Sequence, residues 1–216
     1  MRRPRIERWA AAALIGAAAC APAPVPPAAA SCSPDRTVLI ASQADVRGLA
    51  GCTTVRGVTL RTGAVVDVAA LRALTSITGD LVIGPTVAIE QVVLGELRRV
   101  DGTIHVFSNG MLQGLYLPRL GFAGRVDIDG NPVLTAISLP RLASVGGELR
   151  ITDNAGLELV DVSALATIGG TLVVAGAPRL ALIETQALQR AAGIELDAPN
   201  LDPDVADRVR AAGAAR

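Results

Sequence analysis

The chain has 216 residues with 20 basic and 20 acidic groups, and every basic residue is arginine. Half of the residues are apolar but only 2% are aromatic, so the core has to be aliphatic. The balanced charge gives no electrostatic footprint for nucleic acid, and one His with three Cys leaves little material for a metal site or a catalytic dyad.

Arg2, Arg3, Arg5 and Arg8 precede an apolar stretch from Trp9 to Ala19. It is too short to span a bilayer as a mature helix and reads as a secretory signal over residues 1–19. Gly16-Ala17-Ala18-Ala19-Cys20 resembles a bacterial lipobox, whose cysteine is lipidated and becomes the new N-terminus. Ala17 stands where that motif usually has Leu, and ordinary signal cleavage nearby is the alternative. Cysteine parity favours lipidation of Cys20, because it leaves Cys32 and Cys52 as one disulfide pair in an oxidising compartment. Residues 20–36, with Pro22, Pro24, Pro26 and Pro27, form the anchor and a semi-extended tether. Loss of residues 1–19 removes four Arg and one Glu and leaves a net charge of −3. The expected setting is the bacterial cell envelope, as an outer-membrane lipoprotein or otherwise in the periplasm or secreted.

From residue 37 onward the sequence repeats. Leu60, Ile83, Val106, Ile128, Ile151, Val174 and Leu196 follow one another at steps of 22 or 23 residues. Two residues before each stands another apolar residue, from Val58 to Ile194, which is the mark of a short strand with one buried face. A glycine precedes every strand in register: Gly57, Gly79, Gly102, Gly124, Gly147, Gly170 and Gly193. These glycines predict a corner that needs positive φ or has no room for a Cβ. Further rows run from Val66 to Leu180, from Ala69 to Ile183, from Leu71 to Thr185 and from Leu74 to Leu188. A last row is Val55, Ile77, Val100, Phe122, Val145 and Ile168. Seven inward positions per turn predict stacked aliphatic ladders in a coil with three short faces. Six turns and a fragment, spaced by about 4.8 Å, make a rod about 30 Å long.

The pattern apolar-x-Gly-x-Leu-x-Ile-x-x-Asn-x-x-Leu, at Val145 to Leu157, resembles the receptor L-domain family. The Asn recurs at Asn109, Asn131 and Asn154 and is replaced by Gly63, Thr86 and Ala177 in the other turns. Residues 42–52 are similar to that family's N-terminal cap. The resemblance implies a right-handed parallel β-helix over residues 37–200. An ordinary leucine-rich repeat places its next leucines two and five residues after the Asn, whereas here they stand three and six after.

A solenoid needs a cap at each end, or its terminal apolar rows meet water. Thr37-Val38-Leu39-Ile40 supplies an edge strand that a Cys32–Cys52 disulfide can pin. Asp202-Pro203 is an N-cap followed by proline at the first helical position, and opens a short helix to about Arg210 within the cap and tail of residues 201–216.

His105 lies between inward Ile104 and Val106, so it points outward, with Asp127 and Arg150 stacked beside it in successive turns and Val82 and Val173 beyond. A His–Asp pair invites a catalytic reading, but neither Thr103 nor Ser108 has a companion base or oxyanion nest. The expected arrangement is a solvated charge ladder, with Arg125 and Glu148 as a second cross-turn pair. Asp127 and Asp129 flank Ile128 without a third carboxylate at loop spacing, which argues against a calcium site. The glycine pairs Gly146-Gly147 and Gly169-Gly170 are repeat corners and not phosphate loops. Two Leu-Pro-Arg-Leu copies, Leu117 to Leu120 and Leu139 to Leu142, occupy equivalent corners as structural punctuation. Phe107 and Tyr116 are the only aromatics expected to face outward. With His105, Arg125 and Arg150 they make the candidate contact patch, since binding hot spots favour aromatics and Arg.

These readings converge on a non-enzymatic binding or scaffold module of the cell envelope. It is expected to carry no cofactor or metal, to be held to a membrane by an N-terminal lipid and to meet a protein or glycan partner. The alternatives are a purely structural surface protein without a dedicated ligand, and a polysaccharide-acting β-helix enzyme. The enzyme needs a carboxylate cluster in a groove, which six short turns without long insertions do not offer.

Overall fold

The computed structural model describes Cys32 and residues 34–214. The expected signal segment, Cys20 and the tether as far as residue 31 lie outside the described residues. From Thr37 onward the chain winds into an all-β, right-handed parallel β-solenoid of about seven turns, closed by a short C-terminal helix.

Each apolar–x–apolar segment becomes one strand of a long parallel sheet. Its order is Thr37–Ile40, Gly57–Leu60, Leu81–Ile83, Arg99–Phe107, Phe122–Asp129, Leu149–Thr152, Thr171–Ala175 and Gly193–Leu196. The strand Gly193–Leu196, a fragment by sequence, pairs over four positions with Thr171–Ala175 and completes the seventh turn. A second face carries the five strands Gln91–Val93, Gly114–Tyr116, Ala136–Ser138, Leu159–Asp161 and Leu182–Glu184. The third face is a two-residue ladder running from Thr54–Val55 to Thr167–Ile168, extended by a bridge to Arg190. Between the three faces lies one aliphatic core in which Leu97, Val106, Leu120, Ile128, Leu142 and Leu165 are fully buried.

Several inward positions differ from the sequence reading, Ile194 and Leu196 of the last strand among them, being only half-buried. Val100 pairs with Ala123, which is fully buried, while Phe122 is half-exposed beneath the Arg99 guanidinium, 4.3 Å from its ring centre. The cause is where the turn drops its residue. Arg99 pairs with Phe122 at a separation of 23, but Thr103 pairs with Arg125 at 22, so the lost residue comes after Ala123. In the first turn Val68 faces inward and Ala69 is exposed. There the second face carries the 3-10 turn Val68–Ala70, capped by the Asp67 carboxylate on Ala69 N–H at 2.9 Å. Thr185, at the C-terminal end of its row, is only half-buried.

The corner before the strands of the long sheet is cramped. A Cβ built on Gly79, Gly102 or Gly124 would lie 2.7, 2.3 or 2.1 Å from an oxygen of the neighbouring turn, one on the other four in-phase glycines 3.0–3.3 Å from its nearest neighbour, and none of the seven has positive φ. Four left-handed positions fall at the opposite corner, at Ser108, Gly130, Asp153 and Gly176, with φ between 52° and 64°. Each stands immediately before the position where Asn recurs. That corner is stabilised from inside by a buried polar ladder. Asn109, Asn131 and Asn154 are fully buried, and each side-chain amide donates to a backbone carbonyl of the preceding turn, Ile83, Val106 and Ile128 respectively, at 2.9–3.1 Å. The Thr86 hydroxyl, also buried, donates to Asn109 Oδ1 at 2.8 Å. Every buried side-chain polar atom among the described residues has a hydrogen-bond partner.

Both ends are capped. Helix α1, Gln43–Leu49, packs Val46 and Leu49 over the first turn, and the edge strand before it pairs in register with Gly57–Leu60. The Cys32–Cys52 disulfide is formed and ties residue 32 to the start of the first turn. Helix α2 spans Pro203–Ala214, one turn longer than the sequence suggested. Asp202 caps it by accepting from Asp204 N–H at 2.8 Å, and Leu201, Val205 and Val209 close the last turn.

Candidate binding face

His105 and Phe107 stand two residues apart in one strand, so both side chains leave the same face of the long sheet. Their rings stack at 4.4 Å between centroids and 22° between planes. In successive turns Val82, His105, Asp127, Arg150 and Val173 lie side by side, as do Phe107, Asp129, Thr152 and Ala175. The parallel register sets these neighbours, because equal turn lengths bring equivalent positions of adjacent turns together.

The polar groups of this face hold one another in place. Arg125 Nη2 donates to Glu148 Oε2 at 2.5 Å, and Arg150 approaches the other carboxylate oxygen to 3.9 Å. Thr152 Oγ1 donates to Asp129 Oδ1 at 2.9 Å. At roughly 0–1 kcal/mol for an exposed pair, such contacts add little stability. Their consequence is positional: Arg125 is held in the turn beside Thr103 and Arg150 one turn beyond Asp127, on the same face as the ring stack and both about half exposed.

Tyr116 does not join this group. It belongs to the second sheet, in the outward row of Val93, Ser138 and Asp161. Its ring folds back across Gly114, where an added Cβ would meet ring atoms at 2.3–2.6 Å. The sequence patch is therefore divided, with His105, Phe107, Arg125 and Arg150 on one face and Tyr116 on another.

A basic hollow that the sequence reading passed over lies at the corner leading into the third face. Arg98, Arg119 and Arg141 wall a depression of about 350 Å³ whose floor is Gly121. The signal was present in the two Leu-Pro-Arg-Leu copies, 22 residues apart, but nothing in one copy by itself shows that its arginine meets Arg98 of an earlier turn. Among the described residues no group of three or more His, Cys, Asp or Glu is placed to hold a metal ion, and no helix is long and apolar enough to cross a membrane.

Compared with protein-family models, curated protein sequences and solved structures, the chain matches none.

Proposed function

We propose that the protein is a non-enzymatic binding module of a bacterial cell envelope, of the receptor L-domain type, held to a membrane through lipid on Cys20. The observation that carries the reading is the stacked His105–Phe107 pair on a rigid sheet, with Arg125 and Arg150 on the same face in the next two turns. A rigid aromatic surface loses little side-chain entropy on contact, and arginine beside it adds planar donors; both are favoured in binding hot spots. The partner class that suits the face is a protein or a glycan, since aromatic rings and fixed donors serve either. The Cys32–Cys52 bond supports the anchoring part, because it leaves Cys20 as the odd cysteine of the chain.

Two measurements test this reading. Mass spectrometry of membrane-extracted protein is expected to find a diacylglyceryl group on Cys20, and a soluble mature chain beginning after Cys20 would overturn the anchor. For the face, binding to envelope proteins and glycans is compared between the native chain and the His105→Ala, Phe107→Ala double variant. The expected result is a partner lost in the variant at unchanged melting temperature. Equal capture by both chains, or no specific partner for either, would favour a purely structural role.

A further inference from the structure

At the corner before the third face, Leu97, Leu120 and Leu142 point inward and are fully buried. The residues on either side of each must therefore point out. Before them stand Glu96, Arg119 and Arg141; after them stand Arg98, Gly121 and Ala143. Gly121 and Ala143 are too small to fill the space beside them, so a hollow opens next to Arg98 with Arg119 and Arg141 along its wall. The floor is rigid: Arg98 N–H donates to Thr75, Gly121 N–H to Arg98 and Ala143 N–H to Gly121, each to a backbone carbonyl at 2.8–2.9 Å.

The charge is incompletely balanced. Arg119 pairs with Glu96, but Arg98 and Arg141 have no carboxylate partner among the described residues. The neighbouring cation, Arg99, is engaged by Asp101 and by the ring of Phe122. In a chain of zero net charge this leaves a local excess of positive charge around a concave surface. Arg119 and Arg141 stand in the row before the buried leucines and Arg98 in the row after it, and the three belong to consecutive turns, so they are stepped by about 4.8 Å along the solenoid axis with Arg98 offset to one side. Guanidinium forks match carboxylates and phosphates with two parallel hydrogen bonds. A single exposed contact of this kind gains little. Three on successive turns favour a ligand whose anionic groups are likewise spaced along its length.

From this geometry we infer that the hollow of Arg98, Arg119, Arg141 and Gly121 binds a linear polyanion, an oligomer with repeated carboxylate or phosphate groups lying along the solenoid axis. The inference does not depend on the His105–Phe107 face, which belongs to a different part of the surface.

The test is titration calorimetry of the purified protein with three probes: tripolyphosphate, a hexameric oligogalacturonate and inorganic phosphate. At least one of the two oligomers is expected to bind ten or more times more tightly than inorganic phosphate, with affinity falling as salt rises. Which oligomer binds distinguishes a phosphate source from a carboxylate source. The double variant Arg98→Gln, Arg141→Gln is expected to weaken binding at least tenfold, while Arg179→Gln, at another corner, leaves it unchanged. Gly121→Leu separates shape from charge. A Cβ there meets only the Arg98 carbonyl oxygen at 3.6 Å, an ordinary contact, so the substitution adds bulk to the hollow with every arginine retained. It too is expected to weaken binding tenfold. Binding retained in the arginine double variant or in Gly121→Leu, or no oligomer binding above inorganic phosphate, overturns the proposal.

Discussion

Asn109 and Asn131, separated by 22 residues in the chain, are joined by two hydrogen bonds to one atom. The backbone N–H of Asn109 donates to Asn131 Oδ1 at 3.1 Å, and its side-chain Nδ2 donates to the same oxygen at 2.9 Å. Asn131 repeats both contacts on Asn154 Oδ1, at 3.1 and 3.0 Å. Chained amides in a dry interior polarise one another, and a missing member leaves its neighbours unsatisfied. Asn131→Ala strips the acceptor from two Asn109 donors and the donor from the Val106 carbonyl. The expected cost is on the order of 3 kcal/mol, given about 1–3 kcal/mol for each buried group left unpaired. Urea denaturation measures it. A loss below about 1 kcal/mol would mean that water replaces the amide at that corner.

The register correction can be tested at two adjacent residues. Ala123 fills an inward site of the third face, so Ala123→Leu is expected to destabilise by about 1–3 kcal/mol through overpacking. Phe122→Leu, on the outer side, is expected to stay within roughly 1 kcal/mol, losing mainly its contact with Arg99. The reverse order of the two values would restore the uncorrected register. Leu157→Ala provides the reference for a fully buried site, at on the order of 2–5 kcal/mol, and His105→Ala the reference for the outer face, at about 0.5 kcal/mol.

Reduction of Cys32–Cys52 releases a loop with a sequence separation of 20. The chain-entropy relation puts that at about 3 kcal/mol, which lowers the melting temperature by roughly 6–12 °C in a domain of this size. Calorimetry with and without reductant checks the shift, and thiol labelling of the native protein is expected to be negative at both positions.

The α1 cap carries a pH signature. The Ser42 hydroxyl and the Ala41 N–H, both donating to the Asp45 carboxylate, hold its pKa below the ordinary value. A carboxylate that is more acidic when folded stabilises the fold above its unfolded pKa and loses that contribution as pH falls through the lowered value. Native protein is therefore expected to exceed Asp45→Asn in stability at neutral pH, and the gap is expected to close below about pH 4. A gap that persists to pH 2 would mean that the charge of Asp45 is not what holds the cap.

The spacing of apolar residues along the chain is enough to set the period, the number of inward rows and the solenoid. Turns stacked in parallel must match in length, so a residue such as Leu120 is placed by counting from Leu97 or Leu142. It also placed His105 and Asp127 in one outward row, which the observed pairing reproduces. The period could not say where a 22-residue turn loses its residue; the pairing of the stacked strands places that loss after Ala123, beside the crowded Gly124 corner, and with it the exchange of Phe122 for Ala123. Nor could it say which corner takes the left-handed backbone. The glycine row is cramped instead, while the buried asparagines hold Ser108 and Asp153 at positive φ on the opposite corner. Finally, only stacking shows which side chains of different turns share a space. It brings Arg98, Arg119 and Arg141 around Gly121 and separates Tyr116 from His105, because neighbours in a solenoid are set by turn and face together.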